Sequence, residues 1–269
     1  MTDIYPLPML LTRIGLENPP AYGAEGLFEL VRAYRQAIPF ENLDPLAGQP
    51  VGTALDGIFE KIVLQGRGGW CYELNQLFAD LLRRIGFDVD FRLARVGYRR
   101  PRPGPLTHLV LFVRLRESQW LVDVGFGGPG PAEPLLLIEG ETVCHDGSRF
   151  FIKREKGEEI SLWRLIDGEW AQLYNVTPME VLPVDLEMAS HFLSTWAHSP
   201  FRQKFVCVAY DREWSWTLDG GELVQRDAQW VSVMRTPIEN VDALQSILAS
   251  HFRIRPPMPL LHKVWDVAG

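Results

Sequence analysis

The hydrophobic period of the chain changes at Gly86, and this change constrains the fold more than any other feature of the sequence. From residue 70 to residue 85, apolar side chains recur at intervals of three and four, which predicts an amphipathic helix that Gly86 ends. From Val89 to Leu93, apolar and polar side chains alternate, as is typical of a half-buried strand. The sequence therefore predicts a helical unit followed by a β unit, and thus an α+β fold.

Further short strands follow this first one. Residues 108–115 and 120–124 flank a polar turn, and this pattern predicts an antiparallel hairpin. More strands are predicted at 149–153, 160–165, 170–176, 205–210, 215–218 and 222–224. A final helix is predicted to begin at Thr236-Pro237, where Glu239 would complete a capping box. The order along the chain is helices, then a β unit, then a smaller α/β unit.

The overall charge narrows the range of partners. The chain has 269 residues and a formal net charge of -7, which argues against nucleic acid because such binding needs a concentrated basic face. Its one basic cluster consists of Arg99, Arg100 and Arg102. This cluster is either a solvated loop or a contact to the phosphates of a nucleotide-bearing cofactor.

Cysteine and histidine usage limits the chemistry further. The 3 cysteines are widely spaced and form no disulfide framework, and with the 6 histidines they form no zinc pattern, so we expect no metal. We expect no signal peptide, and no apolar run approaches the ~18–20 residues of a membrane span. The expected setting is therefore a reduced cytoplasm without membrane partners, where a cysteine serves packing or chemistry.

Cys71 lies in the first turn of the predicted helix, directly after Gly68 and Gly69. Unpaired N–H groups and the helix dipole at that position both favour a thiolate over a thiol. The alternative is a small buried apolar residue, which is the usual role of a free cysteine. The glycines favour a nucleophile, because packing does not require them whereas the approach of a substrate does. Arg67 and Glu73 nearby are expected to form an ion pair that holds the loop.

His108 opens the predicted hairpin and Asp123 closes it, so both side chains lie at the same end of one sheet. A turn centred between Leu115 and Arg116 would place them opposite each other. The polar stretch is centred nearer Glu117, and that register would need a bulge or an asymmetric turn to bring them together. Alternatively, the histidine is satisfied by backbone and the aspartate caps a turn.

Together the three side chains have the composition of a thiol-dependent catalytic triad. A thiolate nucleophile needs an imidazole to exchange its proton, and the imidazole needs a carboxylate to fix its tautomer. The order Cys71, His108, Asp123 is that of papain-like and transglutaminase-like enzymes. At this point hydrolase and transferase functions both remain open.

Several segments resemble the arylamine N-acetyltransferase family. The most specific is Arg-Gly-Gly-Trp-Cys-Tyr-Glu-Leu-Asn at residues 67–75. The other matching segments follow in the family's order: Ile38-Pro39-Phe40-Glu41-Asn42-Leu43, Ala94-Arg95-Val96, His108-Leu109, Asp123-Val124-Gly125-Phe126-Gly127, and Ser194-Thr195 through His198-Ser199-Pro200-Phe201. The resemblance extends over most of the chain.

The resemblance implies a fold and a reaction that period and composition do not show. Residues 1–86 would form a helical bundle bearing the nucleophile, 87–190 an antiparallel β-barrel domain bearing His108 and Asp123, and 191–269 an α/β lid. The donor would be acetyl-CoA, and the mechanism would be ping-pong through a Cys71 thioester. The acceptor would be an arylamine, a hydrazine or an arylhydroxylamine.

The same resemblance implies substrate contacts. Phe40, Val96 and Phe126 would line the acceptor pocket, whereas Gly127, Gly128 and Phe201 would lie near the CoA pantetheine. The chain departs from the family in one segment, because Trp196-Ala197 stands where His-Pro is usual. The same fold would also serve an amide synthase that closes macrolactams, and a papain-like or transglutaminase-like hydrolase is a more distant alternative.

Overall fold

The computed structural model describes residues 5–98, 102, 104–211 and 214–268. Its α-helices are α1 (Leu7–Arg13), α2 (Ala24–Ala37), α3 (Leu43–Leu46), α4 (Leu55–Phe59), α5 (Cys71–Ile85), α6 (Pro183–Thr195), α7 (Val241–His251) and α8 (Met258–Ala268). A π-helical turn, Glu60–Leu64, extends α4, and two 3-10 turns span Lys156–Glu158 and Pro200–Arg202. Arg99 and Arg100 of the basic cluster lie outside the described residues.

The strands are β1 (Phe40–Glu41), β2 (Asp88–Val96), β3 (Leu106–Leu115), β4 (Ser118–Val122), β5 (Leu135–Leu136), β6 (Gly140–Val143), β7 (Arg149–Arg154), β8 (Ile160–Ile166), β9 (Glu169–Val176), β10 (Val206–Tyr210), β11 (Ser215–Asp219), β12 (Glu222–Arg226) and β13 (Ser232–Pro237). The α+β class predicted from the change of period is confirmed.

Helix α5 is the central element of the N-terminal helices. It begins at Cys71 and ends at Ile85. Gly86 follows, and its left-handed φ of 109° lets the chain turn away without the strain that a side chain would add. Its apolar stripe, including Leu74, Leu77 and Leu81, is buried in the largest core cluster. The predicted helix and its termination are therefore confirmed.

Eight strands form one antiparallel, barrel-like sheet in the order β5-β4-β3-β2-β9-β8-β7-β6. Strand β2 is an inner strand of this sheet, since it pairs with β3 on one side and, through Ala94–Val96, with β9 on the other. A second apolar cluster that includes Phe126, Phe150 and Tyr174 fills its interior. The predicted strands in this region are confirmed, except that β4 begins at Ser118 and ends at Val122, two residues earlier than predicted.

A smaller sheet has the order β1-β10-β11-β12-β13. Its first strand comes from the N-terminal part of the chain, because Phe40 pairs with Val208 and Glu41 with Cys207. Helices α7 and α8 cover this sheet through a third apolar cluster. The predicted boundary at residue 190 lies inside α6, so the three-way division of the chain remains a prediction.

The predicted start of the last helix is wrong. Thr236 and Pro237 belong to edge strand β13, where a proline is tolerated because its missing N–H faces no neighbouring strand. Helix α7 instead follows Asn240, whose side chain accepts a hydrogen bond from the backbone N–H of Ala243. No helix in the described part of the chain is long and apolar enough to cross a membrane.

Candidate active site

Cys71 is the first residue of α5, and the loop before it is closely packed. A side chain at Gly68 would place its Cβ 2.3 Å from the carbonyl oxygen of Pro39, and one at Gly69 would lie 2.9 Å from the Glu73 side chain. Both distances are too short for real carbon atoms. The expectation that packing does not require these glycines is therefore wrong, because packing alone accounts for them.

The hairpin places His108 beside Asp123. Strands β3 and β4 are joined through Arg116, whose φ is +55°, and Leu111 pairs with Val122. When this register is continued for three more residues, His108 lies opposite Gly125. Asp123 is two residues before Gly125, so its side chain lies on the same face of the sheet as His108 and diagonal to it. The imidazole Nε2 lies 2.7 Å from Asp123 Oδ2. The two side chains meet diagonally, and neither a bulge nor a directly opposed pair is needed.

Asn75 fixes the orientation of the carboxylate, a role that was not predicted from the sequence. Its Nδ2 donates to Asp123 Oδ1 at 3.1 Å and to the carbonyl of Leu109 at 2.8 Å, and its Oδ1 accepts from the N–H of Val124. The backbone N–H of Gly125 also donates to Asp123 Oδ1. The available signal was its position four residues after Cys71, one turn along the same helix face.

The histidine and aspartate are charged as a pair. Burial alone lowers the pKa of His108, but the Asp123 carboxylate and hydrogen bonds with Asp123 and Cys71 raise it to about 10. Burial raises the pKa of Asp123, but His108, Asn75 and Gly125 together hold it below its usual value. His108 can therefore take a proton from sulfur while Asp123 stays ionised.

The three thiols have similar burial but different surroundings. Cys71 and Cys144 are 3% and 4% exposed, and Cys207 is fully buried. Cys71 lies next to His108, and its Sγ is 3.9 Å from the carbonyl oxygen of Thr107. Burial raises the pKa of Cys144 to about 12, with further contributions from Glu133 and Asp146. Cys71 therefore has an imidazole beside it that can hold its proton, whereas the charged neighbours of Cys144 are carboxylates that disfavour its thiolate.

A buried ionic network lies under the start of α5; it consists of Glu41, Asp44, Lys61, Arg67 and Glu73. Arg67 binds Glu41 at 2.7 Å and Asp44 at 3.0 Å, whereas Lys61 binds Asp44 at 2.6 Å and Glu73 at 2.9 Å. Glu73 also accepts a hydrogen bond from the backbone N–H of Trp70. The predicted pair between Arg67 and Glu73 is wrong, since within the described ranges each binds another partner.

Aromatic rings surround the triad. The Phe126 ring lies 5.2 Å from the His108 ring, and Tyr174 lies 5.1 Å from His108 and 5.3 Å from Phe126. Val96, at the end of β2, packs against the same cluster. Two of the predicted acceptor contacts, Val96 and Phe126, thus belong to one apolar wall.

The remaining predicted substrate residues lie in or beside the loop that follows Phe126. A Cβ at Gly127 would lie 2.5 Å from the Phe40 ring, and the Gly128 carbonyl accepts a hydrogen bond from the Tyr210 hydroxyl at 2.7 Å. The Phe40 and Phe201 ring centroids are 6.0 Å apart, and Phe201 meets Trp70 edge-on. Gly125 packs on Cys71 itself, because its Cβ would lie 2.8 Å from the Cys71 Cα.

Comparisons with known proteins agree with this arrangement. A family model described as N-acetyltransferase matches residues 24–259. Over 197 residues, covering 71% of both proteins, the chain is 38% identical to an arylamine N-acetyltransferase of Mycolicibacterium smegmatis. It is 32% identical to the Mycobacterium bovis enzyme of that name over 236 residues, which cover 85% of this chain and 82% of the relative.

Solved structures are similar over almost the whole chain. The structure of Mycobacterium marinum arylamine N-acetyltransferase in complex with CoA matches with a TM-score of 0.90 at 29% identity. The match covers 98% of this chain and 100% of that one. The fold similarity therefore includes the helices, both sheets and the elements that carry the triad.

Proposed function

Because this chain belongs to the arylamine N-acetyltransferase family, we propose that Cys71 carries an acetyl group from acetyl-CoA to an arylamine, a hydrazine or an arylhydroxylamine. The observation that carries the proposal is the buried arrangement of Cys71, His108 and Asp123 on two adjoining elements. The enzyme is an acyltransferase with acetyl-CoA as co-substrate. The assignment of the three residues is ours.

The first half-reaction transfers the acetyl group to the protein. Cys71 has already passed its thiol proton to His108, and the resulting thiolate attacks the thioester carbonyl of acetyl-CoA. Backbone N–H groups in the first turn of α5 stabilise the oxyanion that forms. The carbon–sulfur bond to CoA then breaks, and the CoA sulfur leaves with the proton from His108. The product is an acetyl thioester on Cys71.

The second half-reaction discharges that thioester. The acceptor nitrogen attacks the acetyl carbonyl while His108 removes a proton from it, which suits a weakly basic aromatic amine. The bond to Cys71 Sγ breaks, and the imidazolium and thiolate are restored. Asp123 remains ionised throughout, holding the tautomer of His108 and stabilising its charged form.

The apolar walls favour acyl transfer to an aromatic acceptor over hydrolysis. Phe126 and Val96 on one side and Phe40 on the other would contact a flat ring, and they leave little room for water beside Cys71, which is 3% exposed. Excluding water protects the acetyl thioester until an acceptor binds. We assign Phe40, Val96 and Phe126 to the acceptor pocket on this basis.

For the donor, we propose that the pantetheine passes Gly127, Gly128 and Phe201. The start of this loop supports the path, since Gly125, two residues before Gly127, packs directly on the backbone of Cys71. The Gly128 carbonyl is already used by Tyr210, so the groups left for a ligand are backbone N–H donors. A thiol nucleophile also needs a reducing setting, so we propose a cytoplasmic location.

Intact-protein mass spectrometry tests the nucleophile and the donor together. After brief incubation with acetyl-CoA and no acceptor, the wild-type mass should rise by one acetyl group, and aniline should discharge it. Cys71→Ser should show no adduct, because a hydroxyl is too weak an acid for this base, whereas the matched variant Cys144→Ser should be acetylated normally. An adduct on Cys71→Ser, or none on wild type, would contradict the proposal.

A further inference from the structure

A cavity lies beside the loop that follows Asp123, and the acetyl transfer proposed for Cys71 does not use it. Its volume is about 460 Å³, and its walls come from α2, the barrel-like sheet and the smaller sheet. Gly130 lines it, but Cys71, His108 and Asp123 do not. The cavity is thus separate from the catalytic triad but shares a loop with it.

Two buried arginines form part of the cavity wall. Arg35 is 5% exposed and Arg164 is 4% exposed. The Arg35 guanidinium lies 3.8 Å from the centroid of the Tyr210 ring, and the Arg164 guanidinium lies over Phe150 and Trp230. Although both arginines are buried, their side chains line the cavity.

These guanidinium groups have few acceptors. Arg35 Nη2 and Arg164 Nη1 each donate to the Gly130 carbonyl at 3.4 Å, and Arg164 Nη2 donates to the Ala228 carbonyl. The Nε of Arg164 is buried and has no hydrogen-bond partner among the residues that the structure describes. Among the described residues, no carboxylate lies within ion-pair distance of either arginine. A guanidinium offers five donors, so most of this capacity is unused.

The carboxylates of the same cavity are engaged elsewhere. Glu133 accepts from the backbone N–H of His145, and Asp146 accepts from both the N–H and the hydroxyl of Ser148. Asp211 accepts from the N–H of Trp214 and from the indole of a second tryptophan. They stabilise turns at the rim. Asp146 stabilises the charge of Arg164 through space, but among the described residues neither buried arginine has a carboxylate in direct contact.

Burying an unmatched charge is costly, and proteins normally pair it or bind a counter-ion. Burial makes the largest contribution and lowers the pKa of Arg164; Tyr210 and Asp146 oppose it, and Arg35 lowers the pKa further. Exposed Arg32 adds a third positive group at the cavity mouth. Forked guanidinium donors match the oxygens of a phosphate, and a dianion offsets two cations better than a single carboxylate does.

We propose that this cavity is a phosphate-binding site in which Arg35 and Arg164 bind the phosphate oxygens and Arg32 attracts the anion. The phosphate is either free or carried by the nucleotide part of coenzyme A. The site is coupled to the triad by the loop, because Gly130 is held by both arginines and the Gly128 carbonyl by Tyr210. Occupancy therefore steadies the segment that packs on Cys71.

Calorimetric titration with inorganic phosphate, in a phosphate-free buffer at constant ionic strength, tests the site. Wild-type protein should show saturable binding, and Arg35→Gln and Arg164→Gln should each raise the Kd at least about tenfold, since each loses a charged fork. The matched control is Arg114→Gln, which removes an exposed arginine that pairs with Asp88 and should leave the Kd unchanged.

The same titration with coenzyme A identifies the source of the phosphate. Binding of coenzyme A that depends on Arg35 and Arg164, without binding of inorganic phosphate, would assign the site to the nucleotide of the donor. Binding of inorganic phosphate by itself would assign it to the free anion. Both outcomes support the site, and neither requires acetyl transfer to occur.

A purely structural role for the arginines makes a different prediction. In that case neither probe binds saturably to wild type, or both bind equally well to Arg35→Gln and Arg164→Gln, and the proposal is overturned. If circular dichroism shows that Arg35→Gln and Arg164→Gln do not fold, the titration is made with Arg32→Gln, which changes an exposed residue. It should raise the Kd about threefold relative to Arg114→Gln, and an unchanged Kd would overturn the proposal.

Discussion

Two buried groups of charged side chains contact helix α5, and they differ in what is left free for chemistry. In the ionic network, Arg67 and Lys61 are surrounded by Glu41, Asp44 and Glu73, and every charge has a partner within the network. In the triad, Asp123 is equally well satisfied, by His108, Asn75 and Gly125. Only the imidazole keeps an interaction with a reactive atom, the sulfur of Cys71.

The difference shows how similar burial leads to different roles. A fully matched network restricts the loop before Cys71, and any proton transfer within it would leave a buried charge unpaired. The triad uses a matched carboxylate only to raise the pKa of its histidine, so the proton can move between nitrogen and sulfur. The network therefore stabilises the fold, whereas the triad supports the reaction.

The largest effect on activity is expected from a substitution in the triad. Asp123→Asn should keep the fold but lower kcat about 10³–10⁴-fold, because the amide neither holds the productive tautomer nor stabilises the imidazolium. Steady-state kinetics with an arylamine measure this loss. Asp88→Asn, which changes an exposed carboxylate, is the control and should retain full activity. A loss of less than tenfold would mean that another group orients His108.

The same variant tests whether Asp123 raises the pKa of His108. In wild type, the NMR titration of His108 should have its midpoint near 10, because Asp123 outweighs the effect of burial. In Asp123→Asn the midpoint should fall, since burial persists and the carboxylate is gone. A midpoint that does not move would show that Asp123 is not the cause of the raised pKa.

A smaller effect, on stability, is expected from the network. Glu41→Gln should lower the free energy of unfolding by about 3–5 kcal/mol, because it leaves the buried Arg67 and Lys61 incompletely paired. Denaturant unfolding measures the change. The exposed pair of Arg114 and Asp88 supplies the control, since Asp88→Asn should cost less than about 1 kcal/mol. If both variants lost the same free energy of unfolding, the buried network would stabilise the fold no more than an exposed ion pair does.

The smallest expected effect compares two thiols of nearly equal exposure. At pH 7, iodoacetamide should alkylate Cys71 at least about tenfold faster than Cys144, since only the thiolate reacts and the pKa of Cys144 is raised to about 12. Peptide mapping of a time course measures both rates. Because the two residues are 3% and 4% exposed, equal rates would indicate that accessibility rather than His108 controls the reaction.

Most of the correct predictions came from patterns among residues that are close together in the sequence. The limits of α5 followed from its apolar stripe and from Gly86, and strands β7 to β12 followed from alternation between turn residues. Helices α6 and α8 were not predicted. Edge strand β13 was mistaken for a helix start, because its exposed residues have no apolar alternation and its final proline also suits a first helical turn.

The sequence by itself determined the α+β order, the extent of α5, and the three residues that the family resemblance and the local chemistry both select. Only the tertiary structure decided which groups meet: β1 with β10, Arg67 with Glu41 rather than Glu73, Asn75 with Asp123, and Arg35 with Arg164 across one cavity. The reason is physical. Period, caps and turns act over a few residues, whereas these contacts join residues that are 26 or more positions apart, so their partners depend on how whole elements pack.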